Sequence, residues 1–199
     1  MSTIRLATEA DAGQIRAIYA PHCEADSPVS FEVEPPTVEE VRRRISRTLE
    51  RFPWLVLDDG GEVGGYVYAG PHGERAAYLW SVNVSAYIRQ GRQRSGIGRA
   101  LYTSLFALLR AQGFVNAYAG VGLPNPASVG LHRAVGFTPV GVYRGVGFKC
   151  GAWQDVSWWE LALRDRPDRP EAPLALAEAR STPGWGPAIE SGLPLLRPG

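Results

Sequence analysis

The stretch Ala77–Leu109, AYLWSVNVSAYIRQGRQRSGIGRALYTSLFALL, decides the fold. It runs from an apolar segment through a turn rich in Arg and Gly into a second apolar segment. AYLWSVNVSAY reads as a long strand. GIGRALYTSLFALLRAQG reads as an amphipathic helix, with Gly113 as its C-terminal stop. A strand that enters a helix through a glycine-rich turn leaves unpaired N–H groups at the helix start, and the helix dipole adds about half a positive charge there. The expected ligand of such a turn is a phosphate. Gly96 and Gly98 remove the Cβ atoms that would hold a pyrophosphate away, and Arg92, Arg94 and Arg99 can add charge-assisted bonds.

Elements of both kinds alternate on either side. TIRLA reads as a short strand, and Thr8 caps a helix reaching about Tyr19. TVEEVRRRISRTLERF is a second helix: Thr37 and Glu40 have capping-box spacing, and Val38, Val41, Ile45 and Leu49 mark one apolar stripe. WLVLDD and VGGYVYAG are strands joined by a hairpin turn, DDGGE. VNAYAGV is a strand. NPASVGLHRAVG is a helix capped by Asn125, with Pro126 at its first position. FTPVGVYRGVGF and VSWWELAL are the closing strands. The expected order is β-α-α-β-β-β-α-β-α-β-β, without an internal repeat.

Composition bounds the rest. In 199 residues, 45% are hydrophobic and 21% charged, which suits one soluble globular domain with a real core. A net charge of +1 gives no field favouring nucleic acid or membrane. Cys23 and Cys150 do not make a disulfide framework and suit a reducing cytosol. The N-terminus carries no apolar signal segment and no run is long enough to span a bilayer, so the expected location is cytoplasmic. Beyond Arg164 the composition changes, and seven of the 16 prolines fall in residues 165–199. This tail is expected to be a mostly irregular extension of a domain spanning residues 1–164, with LALAEAR able to form a helical turn or two. Trp185 and the tail leucines leave docking open.

Three ligand classes compete for the turn. A P-loop needs Gly-Lys-Ser/Thr, and no lysine is present here. A dinucleotide site needs a third glycine at the right spacing and an acid about 20 residues on, and VNAYAGV offers none. Coenzyme A is the third. QRSGIG, Gln93–Gly98, fits the Q/R-x-x-G-x-G/A signature of the GCN5-related N-acetyltransferases, and the chain resembles that family over residues 1–164. VSFEVEPPT, GLPNPASVGLHRAVGF and GFKCGAWQDVSWWELAL narrow the resemblance to the phosphinothricin and methionine-sulfoximine acetyltransferase branch.

The resemblance implies a mixed α/β fold. Its twisted, mostly antiparallel sheet is splayed at the acetyl-CoA site and flanked by helices. It implies acetyl-CoA as co-substrate, a small amino-acid-like amine as acceptor, direct acetyl transfer, no metal and a homodimer. Ala86, Tyr87 and Ile88 would face the pantetheine, and an N–H near Ile88 would polarise the thioester carbonyl. Arg94, Ser95, Gly96, Ile97, Gly98 and Arg99 would hold the pyrophosphate. Asn125 would bond the pantetheine or support the thiol end. His132 would exchange protons with the thiolate, the alternative being a helix-packing histidine. Tyr87 would line the site or pack. Phe31 and Glu32 would form a substrate wall, with Glu32 either a surface residue or a base. Arg75 would face a substrate carboxylate or solvent. His72 reads as a loop residue, and Trp80, Trp153, Trp158 and Trp159 as core or interface. Lys149 and Trp153 would shape the site or interface.

One position departs from the branch. An acid usually follows the W-T-V segment as base for the substrate ammonium, but here WSVN places Asn83 there. An amide cannot take a proton at neutral pH. Deprotonating a lysine-like amine at pH 7 costs roughly 4–5 kcal/mol, and a peptide-type α-amine only about 1–1.5 kcal/mol. The substrate amine is therefore weakly basic, or another base serves. An acceptor such as a peptide N-terminus or polyamine stays open, as does an acyl-CoA-binding protein without catalysis.

Overall fold

The computed structural model describes residues 2–24 and 26–197. Seven strands form one sheet in the order β1-β2-β3-β4-β5-β7-β6. They are β1 (Ser2–Leu6), β2 (Trp54–Asp59), β3 (Glu62–Pro71), β4 (Ser81–Ile88), β5 (Asn116–Gly122), β6 (Thr138–Lys149) and β7 (Ala152–Ala162). All neighbours are antiparallel except β4 and β5. The helices of the main body are α1 (Ala12–Tyr19), α2 (Val38–Leu49), α3 (Ile97–Gln112) and α4 (Pro126–Ala134). Up to Ala162 this is the order read from the sequence.

The sheet buries a core on each face. On one, Ile15 and Ile18 of α1 and Val41 and Ile45 of α2 meet Trp54, Val56 and Tyr66. On the other, α3 contributes Leu101, Leu105, Leu108 and Leu109 against Leu55, Leu57, Val67, Val82 and Val84. Alternation along β4 divides its side chains between these faces: Val82 and Val84 join the α3 core, and Tyr87 packs against the other.

Local signals explain the helix limits. The Thr37 hydroxyl accepts from the Glu40 N–H at 3.1 Å and starts α2. The Glu40 carboxylate turns to Arg43 and Arg44 instead of closing the expected box. Asn125 accepts from the Ser128 N–H at 3.0 Å and starts α4. Gly96 (φ 87°) and Gly113 (φ 99°) hold left-handed conformations at the two ends of α3, where a Cβ would be strained.

The tail is more ordered than its prolines suggest. Helices α5 (Leu176–Arg180) and α6 (Trp185–Glu190) and a 3-10 turn at Leu193–Leu195 run along α3. Leu176 and Ala179 are buried, and Trp185, Ile189, Leu193, Leu195 and Leu196 pack against the α3 core. The Trp80 indole donates to the Glu171 carbonyl at 2.7 Å, and Gln112 Nε2 donates to the Leu174 carbonyl at 3.1 Å. The Gly192 N–H donates to Ser104 Oγ at 3.1 Å. The expectation of an irregular tail is thus corrected. Pro187 lies in the first turn of α6 and Pro194 opens the 3-10 turn, positions where a missing N–H costs no helix bond.

Gly192 touches α3 so closely that a Cβ there would overlap the Ala100 carbonyl. Its φ of −85° suits any residue, so the clash alone is at issue. Gly192→Ala is expected to cost about 1–3 kcal/mol in urea unfolding. An unchanged midpoint would show that the tail does not dock there.

Candidate active site

Pairing between β4 and β5 covers only Ser81–Asn116, Val82–Ala117 and Asn83–Tyr118. Beyond Asn83 and Tyr118 the strands part. β5 continues along β7 as far as Gly122 opposite Val156, and β4 continues along β3 as far as Ile88 opposite Gly65. The parted strands border a cavity of about 650 Å³. Val84–Ile88 form one wall and Gly120–Gly122 the other, with the start of α3 and the inner face of α4 at its sides. Alternate N–H and C=O groups of β4 face this gap without a neighbouring strand.

The glycine-rich turn lies at one end of the cavity. The first intrahelical bond of α3 runs from the Ala100 N–H to the Gly96 carbonyl at 2.9 Å, so the N–H groups of Ile97, Gly98 and Arg99 precede the helical ladder. Arg94 (φ 67°) takes a left-handed conformation, and Ser95 Oγ donates to the Arg92 carbonyl at 2.6 Å, tightening the turn. Arg92 is tied to Asp59 at 2.8 Å. Arg94 and Arg99 line the cavity and have no ion-pair partner among the described residues.

The docked tail adds residues that the sequence did not single out. The Arg197 N–H donates to the Ser95 carbonyl at 3.0 Å, and Leu195 and Arg197 line the cavity beside the turn. The Leu195 carbonyl lies where a Cβ on Gly96 would fall. Gly96 therefore serves two close approaches, its own turn and the tail.

The expected site residues divide into two groups. Ala86, Tyr87, Ile88, Arg94, Gly96, Ile97, Gly98, Arg99, Asn125 and His132 all line the cavity. Ser95 is half-buried in the turn beside them. Tyr87 stacks on Tyr66, meets Tyr19 edge-on and lies 5.4 Å from the His22 ring; burial holds its phenol well above the usual range. The Asn125 side-chain oxygen is committed to capping α4. Outside the cavity walls lie Phe31, Glu32, Arg75 and Asn83. The Phe31 ring lies over Gly147 of β6 and near Gly122 of β5. Arg75 is exposed on the loop before β4.

Two candidates for acid–base chemistry have their polar atoms engaged within the fold. Glu32 bonds Arg44 through both oxygens, at 2.7 and 3.3 Å, and accepts from the Tyr19 hydroxyl at 3.0 Å. It ties the 30s loop to α2 and is not a free base. His132 is buried, at 4% exposure, and both ring nitrogens are occupied. Nδ1 faces the Ser128 carbonyl at 2.8 Å and must donate; Nε2 then accepts from the Tyr102 hydroxyl at 3.0 Å. Burial lowers the His132 pKa, partly offset by the Ser128 carbonyl, and raises that of Tyr102. Tyr102 is thus the donor to Nε2, and His132 joins α4 to α3 while its ring borders the cavity.

The sequence does not reveal that Lys149 and His22 meet. The Lys149 ammonium is buried and donates to the carbonyls of Ser30 (2.8 Å) and His22 (3.3 Å), pinning the segment beside Tyr87. Burial, then the Lys149 charge, lowers the His22 pKa. Trp80 bonds the tail and Trp159 is core, its indole donating to Ser157 at 3.0 Å. Trp153 is 68% exposed on the outer hairpin beside Phe148.

Comparison with known proteins follows this geometry. Residues 4–158 match the family model described as an acetyltransferase (GNAT) domain. The chain belongs to the GNAT acetyltransferase family. It is 43% identical over 171 residues to a phosphinothricin N-acetyltransferase of Streptomyces viridochromogenes, covering 84% of this chain and 93% of that protein. It is 31% identical over 161 residues to an L-methionine sulfoximine/L-methionine sulfone acetyltransferase of Salmonella typhimurium, covering 81% and 94%. Among solved structures it is similar to a phosphinothricin acetyltransferase from Sinorhizobium meliloti in complex with AcCoA, with a TM-score of 0.79, 31% identity and coverage of 88% and 98%. The mixed α/β sheet flanked by helices is the GNAT fold.

The pKa values of His132 and His22 are both lowered, chiefly by burial. A histidine whose folded pKa lies below its unfolded value of about 6.5 stabilises the fold above that pH. That contribution is lost as pH falls through the folded value, because only the unfolded chain is free to take the proton. Unfolding free energy is therefore expected to fall below about pH 6.5, and His132→Gln to make that slope shallower. Urea melts between pH 5 and 8 measure it; an identical slope in the variant would contradict a lowered pKa at His132.

Proposed function

We propose that this protein is an acetyl-CoA-dependent N-acetyltransferase acting on the primary amine of a small amino-acid-like substrate of the phosphinothricin or methionine-sulfoximine type. The observation that carries the reading is the gap between β4 and β5, which ends at helical N–H groups ahead of the ladder and at Arg94 and Arg99, without ion-pair partners among the described residues. An extended pantetheine arm suits the unpaired edge of β4 at Ala86, Tyr87 and Ile88. The pyrophosphate suits the N–H groups of Ile97, Gly98 and Arg99, with Arg94, Arg99 and Arg197 supplying charge. Asn125, its oxygen engaged in the cap, has its amide N–H groups for the pantetheine. A backbone N–H on the unpaired edge of β4 would polarise the thioester carbonyl, and the reaction is direct transfer without a metal.

The acceptor class rests on the relatives named above. Phe31 lies over Gly122 and Gly147, Gly122 being part of the β5 wall, and suits a wall of the acceptor site. Arg75, exposed on the loop before β4, is the candidate for a substrate carboxylate. We also propose a homodimer, supported by the exposed apolar residues Val140, Val142, Tyr143, Val146 and Phe148 on β6.

Release of free CoA from acetyl-CoA, measured against a panel of amino acids and amines, tests the reading. Phosphinothricin and methionine sulfoximine are expected among the best acceptors, ahead of polyamines and peptide N-termini. Tight acetyl-CoA binding without CoA release for any amine would instead support a binding protein. Arg197→Ala is expected to raise KM for acetyl-CoA about 5–10-fold, the loss of one charge-assisted bond, with kcat near wild type. An unchanged KM would remove Arg197 from the phosphate site.

A further inference from the structure

The position of the usual carboxylate is occupied by Asn83, and His72 lies against it. His72 Nδ1 is 2.9 Å from Asn83 Oδ1, and Asn83 Nδ2 faces the Pro71 carbonyl at 3.4 Å. That carbonyl can only accept, so it fixes the amide orientation and leaves Oδ1 as an acceptor. Nδ1 must then carry the proton. In the neutral ring the lone pair is left on Nε2, which forms no hydrogen bond among the described residues.

The location is as specific as the tautomer. Asn83 and Tyr118 are the last paired residues before β4 and β5 part. His72 bonds the first and stacks on the second, with ring centroids 4.3 Å apart. It therefore covers the apex of the gap. Tyr78 meets it edge-on at 5.5 Å, and Trp158 at 6.4 Å. The Trp158 indole N–H is buried without an acceptor among the described residues.

We propose that His72 is the general base of the transfer reaction and that Asn83 positions it, the two replacing a single carboxylate. The proposal rests on the N-acetyltransferase reading above. Nε2 takes one proton from the substrate ammonium, directly or through a water. The freed amine lone pair forms a C–N bond to the thioester carbonyl carbon. Collapse of the tetrahedral adduct breaks the C–S bond, and the sulfur leaves with the electron pair. The second nitrogen proton passes to that sulfur, giving amide and CoA thiol, and His72 returns its proton to solvent.

His22 is the competing base, since it lines the cavity. The Lys149 ammonium held at its carbonyl disfavours an imidazolium there. Around His72 the facing titratable groups are Tyr78 and Tyr118. Glu74 and Arg75 lie on its own loop, and Glu160 on β7 is the cross-strand partner of Tyr118. Among the described residues none of these forms an ion pair with His72.

The test is the pH profile of kcat/KM for methionine sulfoximine in wild type, His72→Gln, Asn83→Asp and His22→Gln. The wild-type profile is expected to rise with pH through a single inflection, that of the base. His72→Gln is expected to lower kcat roughly 10²–10³-fold and abolish that inflection, while binding acetyl-CoA as wild type does. Asn83→Asp, which sets a carboxylate beside Nδ1–H, is expected to move the inflection up, and His22→Gln to retain it. Nitrogen-15 NMR of the ring is expected to show a protonated Nδ1 and a bare Nε2 at pH 8. Wild-type activity with kcat and inflection unchanged in His72→Gln, or the opposite tautomer, overturns the assignment alone. Loss of the inflection in His22→Gln transfers the role to His22 and overturns it too. Wild-type protein that acetylates no amine overturns the N-acetyltransferase reading and this assignment with it.

Discussion

The parting of β4 from β5 after Asn83–Tyr118 is the constraint on which the rest depends. A strand interior to a sheet normally has both edges paired, because an unpaired buried backbone group costs about as much as a lost hydrogen bond. Here residues 84–88 keep β3 on one side and border a cavity on the other. The sheet survives because both of its faces are covered by packed helices, and because β5 is held by β7 over its whole length, Asn116 to Gly122. The gap thus has two rigid walls. At its narrow end sits His72, and at its wide end the start of α3. A ligand with a reactive group at one end and phosphates at the other matches that polarity.

Much of this was legible in the chain, for identifiable reasons. Strand, turn and helix in Ser81–Gln112 followed from apolar spacing and from Gly96, Gly98 and Gly113, all short-range signals; the expected strand start at Ala77 is instead a 3-10 turn, Ala76–Tyr78. Asn125 and Thr37 were legible as caps because a cap is decided within three residues. His132 was harder. The resemblance implies proton exchange and leaves helix packing as the alternative, whereas its hydrogen bonds are set by Tyr102, 30 residues away, and by the Ser128 carbonyl. Glu32 read as a free acid because its partner Arg44 belongs to another element. His72 read as a loop residue because only the hairpin register of β3 and β4 brings it to Asn83.

The tail shows a different limit. Proline content argued for irregularity, and proline does remove donors. It also narrows the conformations of the unfolded chain, which lowers the entropy lost on docking. With Leu176, Trp185, Ile189 and Leu193 as anchors, the segment reaches back to Ser95 and brings Arg197 to the cavity. Composition alone does not reveal this, because the surface that receives the tail is made by α3. The family match ends at residue 158, so this arrangement is built outside the matched region.

Amide hydrogen exchange with and without acetyl-CoA tests the central claim most directly, because it reads the unpaired edge itself. Acetyl-CoA is expected to slow exchange in Val84–Ile88 and in Ile97–Arg99, and to leave β1 and β2 unchanged. Saturating acetyl-CoA that leaves residues 84–88 exchanging as before would contradict an acyl donor seated between the two parted strands.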